Sequence, residues 1–226
     1  QLAIDEALTE IPLAEKQFGH SSLEVSLYLA YLTEAYQENK EYIKTLPVTR
    51  RILSIMVEID GSESDAAGSV ESTLAWNYIK LSQYENAQSH YQHILNVKEK
   101  RFGIDHIETT NALIDVATTF ARLNQNEKAL PLNIRVLKIR EKALGPEHTD
   151  TATAMFNLAG NYSRLNQNEK ALPLNLRALE IRERLFGSEH VDTATAMLDL
   201  ASTYGRLKQH EKALPLNLKV LEIREK

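Results

Sequence analysis

The stretch Gly145–Phe186, GPEHTDTATAMFNLAGNYSRLNQNEKALPLNLRALEIRERLF, decides the fold, because it returns when the register is moved by 42 residues in either direction. Gly19, Gly61, Gly103, Gly145 and Gly187 stand at that spacing without a break. The run Ala-Leu-Pro-Leu-Asn recurs at Ala129–Asn133, Ala171–Asn175 and Ala213–Asn217, and Arg122–Asn133 is identical to Arg164–Asn175. A fixed period of this size is the signature of a solenoid, in which each unit packs only on its neighbours.

Within the quoted unit the apolar spacing predicts two helices. Ala154, Met155, Leu158, Ala159 and Tyr162 recur at helical intervals over residues 150–165, with Thr149 or Asp150 expected as the cap. Asn166–Asn168 reads as the turn. The second helix is expected from Glu169, with Pro173 in its first turn, where a missing N–H costs little. Its inner stripe is Ala171, Leu174, Ala178, Leu179 and Ile181, and Gly187 ends it. Across units, Leu32, Leu74, Val116, Leu158 and Leu200 share one site, and Tyr36, Tyr78, Phe120, Tyr162 and Tyr204 follow four residues later. Small residues lie between them and open each second helix, so two helices can approach closely.

This large–small–aromatic pattern resembles the tetratricopeptide repeat. The 42-residue unit, with Leu144–His148 and Ala178–Glu183, resembles the kinesin light chain type of that family. The expected fold is all-α, a right-handed α-solenoid of antiparallel helix pairs over residues 1–226. It comprises a lone second helix at 1–18, kinked or shortened by Pro12, and repeats at 19–60, 61–102, 103–144, 145–186 and 187–226. The chain opens mid-repeat at Gln1 and reads as an excerpt of a longer protein.

Composition narrows the function. A net charge of −5 argues against a general nucleic-acid binder, and the absence of cysteine excludes disulfides and thiolate metal sites. No apolar run is long enough for a membrane span, and a cytoplasmic protein is expected. There is no phosphate loop, nucleophile elbow or zinc-protease motif, so neither enzyme activity nor a cofactor is expected. His106, His148 and His190 keep the repeat period, so neighbouring copies lie about 10 Å apart, too far to share a metal. They are expected to bond the next inter-helix turn. His90 and His93 share a helix face but lack acidic neighbours at ligand spacing, so no metal is expected there either. Asn133, Asn175 and Asn217 form a ladder that either bonds adjacent helices, the favoured reading, or presents amides to a ligand.

A further ladder carries the functional reading. Lys80, Arg122, Arg164 and Arg206 close successive first helices. The resemblance implies that first helices line a concave groove, with Thr118, Gly160 and Ser202 beside the cations and Asn157, Asp115 and Asp199 one turn back. Kinesin light chain repeats bind tryptophan-containing acidic peptides over basic and Asn side chains. Asn157 matches that Asn, whereas Asp115 and Asp199 depart from it. The Lys/Asn pair of a chaperone-tail clamp is absent. Phe156 and Leu198 are expected as apolar contacts, and Trp76 as either a groove hot spot or a packing residue. The expected function is a scaffold that binds a partner peptide or segment in the groove, with an acidic one fitting the ladder. The alternatives are an end-to-end self-associating array, or a sensor or regulatory module of a larger protein. The ladder itself is either a binding stripe or a solvated face.

Overall fold

The computed structural model describes residues 2–225, and the chain divides into two units, Gln1–Arg101 and Phe102–Lys226. The first contains α1 (Leu2–Phe18), α2 (Leu23–Glu38), α3 (Tyr42–Asp60), α4 (Asp65–Lys80) and α5 (Tyr84–Phe102). In the second, a short 3-10 turn, Ile107–Thr109, leads into α6 (Thr110–Arg122). It is followed by α7 (Asn126–Leu144), α8 (Thr149–Arg164), α9 (Asn168–Phe186), α10 (Val191–Arg206) and α11 (His210–Glu225). Within each unit consecutive helices pack as antiparallel pairs, and in the second unit α8 also meets α10 directly. Among the described residues no helix is long and apolar enough to cross a membrane.

The aligned positions form the core. Leu32, Leu74, Val116, Leu158 and Leu200 are all buried, and Ala75, Ala129, Ala159 and Ala171 are sealed from solvent at the helix crossings. Where Thr33 and Thr45 replace alanine, each hydroxyl donates to a carbonyl of its own helix, Leu29 O at 2.9 Å and Tyr42 O at 2.7 Å. A buried hydroxyl satisfied locally needs no partner from a neighbouring element. The aromatic site is closed by a lysine at the start of the following helix. Lys128, Lys170 and Lys212 lie 5.6, 5.5 and 5.5 Å over the rings of Phe120, Tyr162 and Tyr204.

Four local expectations are corrected. The cap of α8 is His148, not Thr149 or Asp150: it is the last residue with extended backbone (φ −79°, ψ 147°), and its Nδ1 accepts from Asp150 N at 3.1 Å. His106 and His190 do the same for Glu108 N at 3.2 Å and Asp192 N at 3.1 Å. The histidine ladder therefore caps its own helices rather than bonding the next turn, because Nδ1 sits at the same short reach from the chain as the oxygen of an Asn or Asp cap.

Pro173 falls in the second turn of α9, since the helix already begins at Asn168. Both Pro173 and Glu169, whose carbonyl loses its partner, are exposed, so water replaces the missing bond. Pro12 likewise lies on the exposed side of α1, which runs from Leu2 to Phe18 without being shortened. Gly187 stops α9 as expected, at φ 85° and ψ 163°, a conformation open essentially only to glycine.

Candidate functional site

The second unit carries a pocket of 170 Å³ where α8 meets α10. Its near wall is Phe156, Gly160, Ser163 and Arg164, which fall on one face of α8 at helical spacing. Asp199, Ser202 and Arg206 form the opposite wall, and Thr203 and Asn175 line it as well. Thr203 Oγ1 donates its one hydrogen to Asp199 O at 3.0 Å and so can only accept from Asn175, whose Nδ2 lies 2.8 Å away. Asn175 is 3% exposed, and its Oδ1 is buried without a partner. The asparagine ladder thus bonds the following first helix at Asn175, the favoured reading, and also leaves one carbonyl unsatisfied. Asn133 is buried, while Asn217 is exposed.

Charge is distributed unevenly. Arg135 pairs with Asp105, Arg177 with Glu147 and Glu180, and Arg184 with Glu147. Arg122, Arg164 and Arg206 are exposed, and none of them is in an ion pair among the described residues. Each closes its helix, where the dipole stabilises a cation by about 0.3–1 kcal/mol, but its donors remain free for a ligand. Two carboxylates stand on the same helix faces. Burial raises the Asp115 carboxyl to about 6. Burial also pushes Asp199 up, against the pull of Arg182.

Sequence reasoning missed a second arginine ladder, at Arg140 and Arg182. Arg140 Nη1 donates to Asp150 O at 3.0 Å and Nη2 to Asn111 Oδ1 at 3.2 Å. Arg182 donates to Asp192 O at 3.0 Å and Thr153 Oγ1 at 3.3 Å, and its guanidinium lies 4.6 Å over the Phe156 ring. Each ties the first helix of its own repeat to the start of the next. Burial lowers the pKa of both, opposed by Asp150 for Arg140 and by Asp192 and Asp199 for Arg182. The 42-residue spacing of Arg140, Arg182 and Arg224 was the available signal.

The remaining site residues are placed as follows. Thr118 is exposed on α6, and Asn157 is half-buried on α8 outside the pocket. Leu198 packs with Phe156 on the core formed by Leu179, Met197 and Leu200. In the first unit the Lys80 ammonium sits 4.7 Å over Trp76, whose ring meets Tyr42 edge-on at 5.7 Å, leaving Trp76 38% exposed. The expectation that His90 and His93 lack an acidic neighbour is corrected. Glu71, on a core site, bonds both Nδ1 atoms, at 2.9 and 2.7 Å. Burial pushes this carboxyl up, but the two imidazole bonds outweigh it and hold it below the usual range. Among the described residues no group of three or more His, Asp or Glu is arranged to hold a metal ion.

These features define a helical repeat scaffold with a polar pocket on its first-helix face. The family model for the tetratricopeptide repeat matches residues 69–142, 108–183 and 167–226. The chain belongs to the tetratricopeptide repeat family, with units of kinesin light chain type. It is similar to a kinesin light chain-like protein of Podosopora anserina with nearly identical repeats, at 21% identity, 87% of this chain, 92% of that one and a TM-score of 0.76. BtubC (BKLC) from P. vanneervenii is 19% identical over 99% of this chain and 90% of its own, with a TM-score of 0.79. A Rap protein complexed with Competence and Sporulation Factor is 13% identical over 98% of this chain and 63% of its own, with a TM-score of 0.68. None of the curated proteins compared with the chain matches it.

Proposed function

We propose that the unit Phe102–Lys226 holds an acidic segment of a partner protein along its first-helix face. The observation that carries this is the pair Arg164 and Arg206, exposed and, among the described residues, without ion pairs, at a pocket that Asn175 also lines. A carboxylate side chain meets the two guanidinium groups. Phe156, Ser202 and Gly160 shape the space between, while Arg122 and Thr118 continue the exposed face along α6. Each exposed ion pair contributes only about 0.2–1 kcal/mol, so specificity comes from several acting in register. That a protein of this fold was solved with Competence and Sporulation Factor bound supports ligand capture as a use of the fold. On this reading the protein is a non-enzymatic cytoplasmic scaffold.

The test is binding to acidic and neutral 12-residue peptides at two salt concentrations, wild type against Arg164→Glu/Arg206→Glu. Acidic peptides that bind, weaken with salt and lose affinity in the variant are expected. Binding indifferent to the variant makes the arginines a solvated face.

A second reading rests on α11, where Leu214, Leu218 and Leu221 are 59%, 53% and 54% exposed along one face. A row of this kind supports association with another copy of the chain. A mass that stays monomeric across a hundredfold concentration range refutes it.

A further inference from the structure

The unit Gln1–Arg101 has its own pocket, of 240 Å³, between α2, α3 and α4. It stands at the register of the α8–α10 pocket: Ala30, Glu34 and Thr49 lie three repeat periods before Phe156, Gly160 and Asn175. Its chemistry is reversed. Thr33 Oγ1 donates to Leu29 O at 2.9 Å, Thr49 Oγ1 to Thr45 O at 2.8 Å and Thr73 Oγ1 to Ser69 O at 3.2 Å. A hydroxyl has one hydrogen, so the three threonine oxygens can only accept. Thr33 and Thr49 are 3% and 1% exposed, which makes these acceptors part of a built wall rather than of a solvated surface.

The Glu34 carboxylate adds two more acceptors, and no Lys, Arg or His lines the pocket. Among the described residues neither Glu34 nor Glu38 is in an ion pair, and Glu38 holds the register position that Arg164 holds in the other pocket. Ala30, Ile52 and Val70 supply an apolar side. Two donors also line the pocket, the Gln37 amide, which spends one hydrogen on Asn77 Oδ1 at 2.9 Å, and the exposed Ser69 hydroxyl, but the acceptors outnumber them; with one free carboxylate and an apolar strip they match a cationic group on an aliphatic stem.

We propose that this pocket takes the lysine or arginine side chain of a partner protein segment. The stem lies on Ile52 and Val70, and the head donates to Glu34 and the threonine oxygens. A single carboxylate beside a short apolar strip fits one such side chain better than the spaced amines of a free polyamine. The proposal rests on the first-helix face being a groove for partner segments, but on a different pocket of opposite polarity.

The test uses the whole chain and fluorescence anisotropy of labelled, N-acetylated and C-amidated 12-residue peptides. One carries a single arginine in a neutral background, the second has glutamine in its place, and the third is the acidic peptide of the preceding proposal. The arginine peptide is expected to bind ~10-fold tighter than its glutamine counterpart. Glu34→Gln should abolish that preference and Thr49→Val reduce it, while Arg164→Glu/Arg206→Glu leaves it intact. Glu34 is exposed, so its replacement leaves the core unchanged, and an unaltered melting temperature checks this. Equal binding of the arginine and glutamine peptides, or a preference that survives Glu34→Gln, overturns the proposal. Spermidine that binds in a Glu34-dependent way while the arginine peptide does not also overturns it. Loss of acidic-peptide binding alone refutes only the earlier reading.

Discussion

The side-chain amide of Asn175 on α9 donates to the hydroxyl of Thr203 on α10 at 2.8 Å, beside the α8–α10 pocket, and its carbonyl oxygen is left buried without a partner. Thr203→Val keeps the shape, removes the acceptor and leaves a buried N–H without that partner. A loss of about 1–3 kcal/mol in urea unfolding is expected, and an unchanged midpoint refutes the assignment.

His148 and His190 cap α8 and α10 through Nδ1. Replacing either with alanine frees an amide at the helix start and should cost about 1 kcal/mol of stability, whereas serine, a standard cap, should retain most of it. Thermal unfolding of the His148→Ala and His148→Ser proteins separates capping from simple loss of side-chain bulk. Equal melting temperatures count against the cap.

Asp115 gives the protein a pH dependence of defined sign. Its carboxyl is raised from 3.8 to about 6 by burial. Between those values the folded chain holds a proton that the unfolded chain has released, so stability falls as pH rises through the window and stays low above it. Asp115→Asn should raise stability at pH 7 by about 2 kcal/mol and flatten the profile between pH 4 and 6. Chemical denaturation at several pH values reads this directly. A wild-type profile that rises across the same window contradicts it.

Arg182 donates to both Asp192 O and Thr153 Oγ1 and covers Phe156. Lysine keeps the charge but not the planar fork, so Arg182→Lys should still lose about 1–3 kcal/mol. Faster amide exchange at the start of α10 in the variant is the expected signature. Exchange rates that match wild type there would show that the bridge between repeats carries no energy.

Lys208 adopts φ 60°, a left-handed conformation that the equivalent Asn124 and Asn166 hold at φ 57°. Asparagine tolerates this region better than lysine, so Lys208→Asn should stabilise the last helix pair by a few tenths of a kcal/mol to about 1 kcal/mol. The check is a rise in melting temperature.

Most of the architecture was legible because repetition multiplies weak signals. One apolar stripe is ambiguous, but Leu32, Leu74, Val116, Leu158 and Leu200 at one spacing admit only a stacked helical array, and all five are buried. The glycine series was equally readable, since the backbone at Gly187 excludes other residues. The errors fell where two local choices have similar energy. His148, Thr149 and Asp150 can each cap a helix, and backbone torsion at His148 decides among them.

The sequence by itself determined the period, the two-helix unit, the core positions and the row of cations that closes the first helices. Periodicity reports which face of an element is buried, and these properties belong to single elements. Only the tertiary structure decided that Asn175 spends its amide on Thr203 beside Arg164 and Arg206, that Glu71 meets His90 and His93, and that Thr33, Thr49 and Thr73 line a pocket as acceptors alone. Those facts depend on where each hydrogen is spent between residues up to tens of positions apart, and spacing along a chain carries no record of that.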